Sequence, residues 1–73
     1  MAKKKSKICL QFGEQVRRFR RELELSQENF ADEVGIHRTY IGAIERGEKS
    51  PSLKRIYKIS RVLNVPLAKL FTF

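Results

Sequence analysis

The sequence predicts an all-α fold, a compact bundle of five helices, from three observations. Apolar residues recur three or four positions apart along most of the 73 residues, which is the period of a helix with one buried face. Glycine or asparagine follows several of these stretches, where a left-handed backbone ends a helix at little cost. No segment alternates apolar and polar residues clearly enough to indicate a strand.

A basic tail and a first helix are predicted for the N-terminal part of the chain. Residues 1–9 have no apolar period and contain the lysines Lys3, Lys4, Lys5 and Lys7. Two interpretations of this tail stay open: a flexible segment, or an arm that adds contacts to phosphates. The folded domain is expected to span 10–73, and its first helix to begin near Leu10. The apolar stripe of that helix comprises Phe12, Val16, Phe19 and Leu23.

Two short helices joined by a tight turn are predicted between Ser26 and Gly47. Ser26 suits the N-cap of the first helix, because its hydroxyl can accept a hydrogen bond from a backbone N–H of the first turn. Gly35 ends that helix, and Gly47 ends the second. Their apolar faces comprise Phe30, Ala31, Val34, Ile36, Ile41 and Ile44. Such a pair of helices is a helix-turn-helix.

Two further helices are predicted after Gly47. Pro51 suits a helix entrance, and either Ser50 or Ser52 can cap the helix that follows. Asn64 can take the left-handed conformation at its end. Pro66 then opens a last short helix. The inward stripe of the longer helix comprises Leu53, Ile56, Ile59, Ser60 and Leu63.

Charge and composition narrow the function classes. Sixteen Lys and Arg against eight Asp and Glu give a net charge of +8, which favours a polyanionic partner, nucleic acid before an anionic membrane. No apolar run is long enough to span a membrane, and the apolar part of the N-terminus is too short for a signal peptide. Cys9 is the one cysteine and is expected to be a small apolar residue, the alternative being a reactive or metal-binding role. A single cysteine cannot form an internal disulfide, which fits a cytoplasmic protein.

The motif residues carry a family resemblance. The stretch from Leu25 to Val65 resembles the phage-repressor (Cro-like) helix-turn-helix family, and HRTYIGAIERG within it is most similar to the controller proteins of bacterial restriction–modification systems. The positions that carry the resemblance are Gln27, Ala31, Gly35, Ile41, Ile44, Glu45 and Gly47. It implies a lambda-repressor-like DNA-binding domain in a bacterial protein that is associated with the nucleoid. Many relatives have glycine where Glu24 stands, and this departure predicts a different turn geometry.

The second helix of the motif is expected to read DNA bases. A recognition helix enters the major groove with its N-terminal residues facing the base edges, which here are Arg38, Thr39 and Tyr40. Arg38 can donate two hydrogen bonds to a guanine, and Thr39 offers a hydroxyl and a methyl group. Two roles of Tyr40 are equally open. Either its ring packs on the motif while its hydroxyl contacts a phosphate, or the whole side chain is buried and structural. His37 is expected to cap the helix or to contact a phosphate.

Phosphate contacts and one structural pair complete the predicted site. The side chains expected on the phosphates are Gln27, His37, Arg46, Lys49, Ser50 and Arg17. The resemblance implies that Arg20 and Glu45 form an ion pair between the first helix and the recognition helix, and that Gln27 grips the DNA backbone.

A homodimer on double-stranded, palindromic DNA is expected, because one such helix contacts few base pairs. The C-terminal residues are more apolar than a free chain end requires. Some of them are expected to cover the small core, and part of the set is expected to form the dimer interface. The set comprises Val65, Leu67, Leu70, Phe71 and Phe73. The resemblance implies operators upstream of the protein's own gene and of a restriction endonuclease gene.

Two functions of other classes also fit parts of the sequence. An antitoxin-like helix-turn-helix would use the apolar C-terminus to bind another protein, and the lysine tail could bind RNA or an anionic membrane without sequence preference. An enzyme is not predicted, since the sequence has no paired carboxylates, nucleophile–base pair or phosphate-binding glycine loop. No cofactor, metal or small-molecule ligand is predicted, because one Cys and one His cannot form a zinc cluster.

Overall fold

The computed structural model describes residues 6–73, which form four α-helices and a short 3-10 helix and contain no strand. The helices are α1 (Lys7–Glu22), α2 (Gln27–Val34), α3 (Arg38–Glu45) and α4 (Leu53–Leu63), followed by the 3-10 helix Leu67–Phe71. The prediction of an all-α fold is confirmed. The predicted count of five helices is slightly off, because the segment after Pro66 is only five residues long and closes with the tighter 3-10 turn.

The first helix begins earlier than predicted. Ser6 has an extended backbone, and its carbonyl accepts a hydrogen bond from the Leu10 N–H at 3.0 Å, so α1 starts at Lys7. Lys7 and Cys9 therefore belong to the helix, which corrects the boundary at residue 9. Cys9 is half-buried. The proposed phosphate contacts of Lys3, Lys4 and Lys5 lie outside the described residues.

A residue with a left-handed backbone follows each of the four α-helices. Gly35 (φ 87°), Gly47 (φ 75°) and Asn64 (φ 58°) confirm the helix ends predicted from the sequence. Glu24 also has a positive φ, 57°, so the prediction of a different turn geometry at this position is wrong. The turn keeps the conformation that glycine favours because the Leu25 N–H donates to the Arg20 carbonyl and closes it.

Serine side chains cap two of the helices. The Ser26 hydroxyl accepts a hydrogen bond from the Asn29 N–H at 3.0 Å, as predicted. Ser52, and not Ser50, caps α4, because its hydroxyl accepts from the Arg55 N–H at 3.3 Å. The two caps fix where α2 and α4 begin.

One apolar core joins all the helices. Its members come from every helix of the described chain and are Phe12, Val16, Phe19, Phe30, Ala31, Val34, Ile41, Ile44, Ile59, Leu63 and Leu70. Two residues of the predicted stripes are exposed instead of buried. Leu23 is 47% exposed because α1 ends at Glu22, and Leu53 is 75% exposed because it is the first residue of α4, at the edge of the buried face.

The approach of α1 to α3 depends on a glycine. A Cβ at Gly13 would clash with the carbonyl oxygen of Ile44 and would lie 2.7 Å from that of Glu45. Both obstacles are backbone atoms, so α1 can lie this close to the end of α3 only with glycine here.

No helix within residues 6–73 is long and apolar enough to cross a membrane.

Candidate nucleic-acid interface

His37 is the N-cap of the recognition helix α3. Its backbone is extended, and its Nδ1 accepts a hydrogen bond from the Thr39 N–H at 3.1 Å. Two roles were predicted for His37, capping of the helix and contact with a phosphate, and the structure shows the cap. The cap makes Arg38 and Thr39 the first residues of α3 with exposed side chains, at the end of the helix that the sequence assigns to base reading.

Arg38 pairs with an acid on the neighbouring helix. Its NH1 group lies 3.4 Å from Oε2 of Glu28, near the start of α2, and both side chains are 65% exposed. Exposed pairs of this length contribute little to stability, so the guanidinium can exchange the carboxylate for another acceptor. The pair holds Arg38 at the junction of the two motif helices.

Tyr40 belongs partly to the core. It is half-buried and packs against the core cluster. The Arg55 guanidinium carbon lies 4.7 Å from the centroid of the Tyr40 ring, a cation–π contact between α3 and α4. The packing of the ring is therefore a structural role, and a contact between the Tyr40 hydroxyl and DNA remains a proposal.

The carboxylate of Glu45 is the centre of a buried network behind α3. Arg20 donates to it twice, from Nε to Oε2 at 2.7 Å and from NH2 to Oε1 at 3.0 Å. Arg20 NH1 also donates to the Leu25 carbonyl at 2.7 Å, which joins α1 to the start of the motif. The geometry matches the ion pair that the family resemblance implies. No buried polar side-chain atom of residues 6–73 lacks a hydrogen-bond partner.

Two of the predicted phosphate ligands also reach this carboxylate. Gln27 Nε2 donates to Glu45 Oε1 at 3.0 Å, and Arg17 Nε lies 3.7 Å from the same oxygen. The sequence does not predict either contact, because Gln27 and Arg17 lie on different helices from Glu45. A glutamine amide has two N–H donors, and the contact with Glu45 uses one of those of Gln27.

Arg46 lies across the outer surface of α3. Its NH1 group would be 3.0 Å from a Cβ at Gly42, and the Gln27 Oε1 would be 3.6 Å from it. Gly42 thus provides the room in which the guanidinium rests. This places Arg46 beside Gln27, and two of the predicted phosphate ligands lie together.

Arg46 is also paired with Glu48. Its Nε and NH2 groups donate to the two carboxylate oxygens at 2.9 and 3.1 Å. The hydrogen bonds and the charge of Glu48 raise the pKa of the Arg46 guanidinium above its ordinary value. Glu48 was not predicted from the sequence as part of this site. The signal for it was Gly47, because a left-handed residue after a helix turns the next residue back toward the helix end.

The remaining predicted phosphate ligands are exposed in the segment after α3. Lys49 and Ser50 both lie between Gly47 and the start of α4, with solvent-exposed side chains.

The described residues contain no group of three or more His, Cys, Asp or Glu that could hold a metal ion.

The predicted dimer interface needs one correction. Leu70 is completely buried in the core of its own chain, because the 3-10 helix turns it inward, so it has no surface for a partner. Phe71 and Phe73 are exposed, while Val65 and Leu67 are half-buried. Phe71 stacks on Phe12 with ring centroids 5.1 Å apart, which anchors the C-terminus on α1.

The structure has a second apolar surface, on α4, that the sequence did not predict. Leu53 and Tyr57 are exposed on α4 and line an open groove of about 430 Å³ with Leu67. Lys54 and Lys58 form the rest of the groove lining. Leu67 is thus the member of the predicted dimer set that adjoins the exposed face of α4.

Comparison with known proteins agrees with this geometry. The control protein C.BamHI of Bacillus amyloliquefaciens is 46% identical over 67 residues, covering 90% of this chain and 83% of its own. The control protein C.MunI of a Mycoplasma species is 39% identical over 66 residues, 89% of each chain. The crystal structure of the restriction-modification controller protein C.AhdI from Aeromonas hydrophila superposes with a TM-score of 0.84 at 36% identity, over 86% of this chain and 96% of that one. The helix-turn-helix family model matches residues 16–70, and the chain belongs to that family.

Proposed function

We propose that this protein is a transcriptional regulator that binds double-stranded operator DNA as a homodimer, in the manner of a restriction–modification controller. The observation that carries the proposal is the arrangement of α3. Its N-terminal residues Arg38 and Thr39 are exposed, while its C-terminal Glu45 is held by Arg20 in the interior. A helix fixed at its inner end with polar side chains exposed at its N-terminus suits insertion into the major groove.

Base reading is assigned to very few side chains. Arg38 is proposed to exchange Glu28 for the O6 and N7 atoms of a guanine, the most common specific contact of arginine. Thr39 is proposed to contact the neighbouring base. Tyr40 contributes through its hydroxyl, because its ring is engaged with the core and with Arg55.

Phosphate contacts are proposed around the same helix. Gln27 and Arg46 lie together beside Gly42. Arg17 lies near Gln27, because both side chains approach Oε1 of Glu45. Lys49 and Ser50 would extend the contacts beyond α3, and His37 would add its ring edge at the N-terminus. If a dimer neutralises about six phosphates, log affinity should fall against log salt with a slope of about −5.

Homodimerisation is proposed through the groove of Leu53, Tyr57 and Leu67, together with Val65, Phe71 and Phe73. The exposure of Leu53 and Tyr57 on one face of α4 supports this surface. Two subunits about a two-fold axis would place their recognition helices in half-sites about 34–36 Å apart. Each half-site then needs only a few base contacts.

Selection of bound sites from random duplexes tests the proposal. We expect a palindrome with a guanine in each half-site, located near the gene for this protein or near a restriction endonuclease gene. Recovery of sequences without a common motif would contradict sequence-specific regulation. Co-purification of a second protein in equal amount, with no DNA selected, would favour an antitoxin-like interaction module.

A further inference from the structure

We propose that Glu48 is an intramolecular competitor of the DNA backbone for Arg46, and that it lowers the affinity of this protein for duplexes of every sequence. The inference rests on the proposed DNA-binding function and adds a residue that sets its strength. The observations that carry it are the position of Glu48 at the end of α3, the edge of Arg46 that it occupies and the sign of the surrounding charge.

The end of α3 builds this position. Gly47 has a φ of 75°, its N–H donates to the Ile44 carbonyl at 3.0 Å, and the Glu48 N–H donates to the Ala43 carbonyl at 2.9 Å. These two hydrogen bonds form a Schellman motif, which folds the chain back over the last turn of the helix. Glu48 is therefore held beside Arg46 by the backbone.

The pair occupies the donor edge that a phosphate would use. Nε and NH2 of Arg46 reach the two oxygens of the Glu48 carboxylate at 2.9 and 3.1 Å. Arginine binds phosphate with the same parallel N–H donors, so a carboxylate on this edge excludes a phosphate from it. On this edge Arg46 exchanges one anion for the other when DNA binds.

The exchange costs little free energy and does not depend on the base sequence of the DNA. Both side chains are well exposed, Arg46 at 50% and Glu48 at 40%, so the pair has the modest strength of a surface ion pair. Glu48 is also the last acid of the sequence, and the charged residues after it are Lys49, Lys54, Arg55, Lys58, Arg61 and Lys69. Because phosphates are common to every duplex, competition for Arg46 weakens binding whatever the base sequence.

The test compares Glu48→Gln with Glu33→Gln. Both variants remove one negative charge from an exposed glutamate, but Glu33 lies near the opposite end of α2 from Gln27, which adjoins Arg46. Affinity is measured for the selected operator and for an unrelated duplex across a range of salt concentrations, with melting temperatures to show that both variants are folded. We expect Glu48→Gln to bind both duplexes about two- to fivefold more tightly per subunit than Glu33→Gln, with a difference that shrinks as salt rises.

A double-mutant cycle isolates the competition. In an Arg46→Ala background, Glu48→Gln should bring no gain beyond that of Glu33→Gln, because no guanidinium remains to be released. A gain that persists without Arg46 would overturn the proposal in favour of simple repulsion. A change of base preference in Glu48→Gln would overturn it too, since Arg46 and Glu48 would then read a base together.

The failure of this inference is distinguishable from that of the proposed function. If the wild-type protein selects no duplex, the DNA-binding function itself is wrong. If the wild type binds its operator and Glu48→Gln binds no better than Glu33→Gln, DNA binding stands and the competition is refuted.

Discussion

Arg20 and Glu45 are joined across α1 and α3 by a buried ion pair, with Arg20 Nε 2.7 Å from Glu45 Oε2. The Glu45 side chain is completely buried, and Gln27 and Arg17 approach the same carboxylate from two other positions. This carboxylate therefore couples the stability of the domain to the orientation of its recognition helix. A charge in this setting depends on its partner, because an unpaired buried carboxylate is strongly unfavourable.

Arg20→Ala is expected to lower the free energy of unfolding by about 3–5 kcal/mol, because it leaves the Glu45 carboxylate without its main partner. Arg21→Ala, one residue along α1 and exposed, should change it by about 0.5 kcal/mol or less. Thermal and urea denaturation measure both variants. Equal melting temperatures for Arg20→Ala and the wild type would show that the pair does not hold α3.

Arg38→Ala should remove the preference for one guanine in each half-site, at a cost of about 1–3 kcal/mol on the operator. Binding to unrelated duplexes should change much less, because phosphate contacts carry no sequence information. Lys49→Ala is the matched control and should weaken both kinds of duplex alike. A uniform loss for Arg38→Ala would make Arg38 a phosphate ligand.

Glu24→Gly should stabilise the domain by about 1 kcal/mol, because a side chain at φ 57° is strained and glycine is not. For a domain of this size the melting temperature should rise by about 4–8 °C. Asn64→Gly, at φ 58°, is the comparison and should gain less, since asparagine tolerates the left-handed region. A loss of stability in Glu24→Gly would mean that the Glu24 side chain has a favourable contact.

Gly13→Ala should destabilise the domain by about 1–3 kcal/mol, although alanine is the better helix former. The added Cβ would meet the carbonyl oxygens of Ile44 and Glu45, and α1 would have to move away from α3. Glu14→Ala, at the exposed neighbouring position, should be nearly neutral. Unchanged stability of Gly13→Ala would indicate that the two helices can separate freely.

Leu53→Glu should convert the proposed dimer to a monomer and reduce operator affinity, because it introduces a charge into the groove beside Tyr57 and Leu67. Leu23→Glu provides the control, since Leu23 is also exposed but follows α1 and does not line the groove. Sedimentation velocity at micromolar concentration distinguishes the two states. A Leu53→Glu variant that still sediments as a dimer would exclude this face.

The sequence by itself determined what depends on neighbouring residues in the chain. The helical period located the core residues from Phe12 to Leu63, and Gly35, Gly47 and Asn64 located three helix ends. These features follow from local sterics and from the spacing of apolar residues, so they can be recognised without a tertiary structure. The motif and the family followed from the same local pattern.

The tertiary structure alone decided what depends on residues distant in sequence. It buried Leu70 and left Leu53 exposed, because burial depends on where each helix ends against the others and not only on its period. It joined Gln27 and Arg17 to Glu45, and placed Arg46 over Gly42 within reach of Glu48. Periodicity specifies which face of a helix is inward, whereas the packing of α1, α2 and α3 determines which polar atoms meet. Only those contacts separate the side chains that hold the recognition helix in place from those that remain available to DNA.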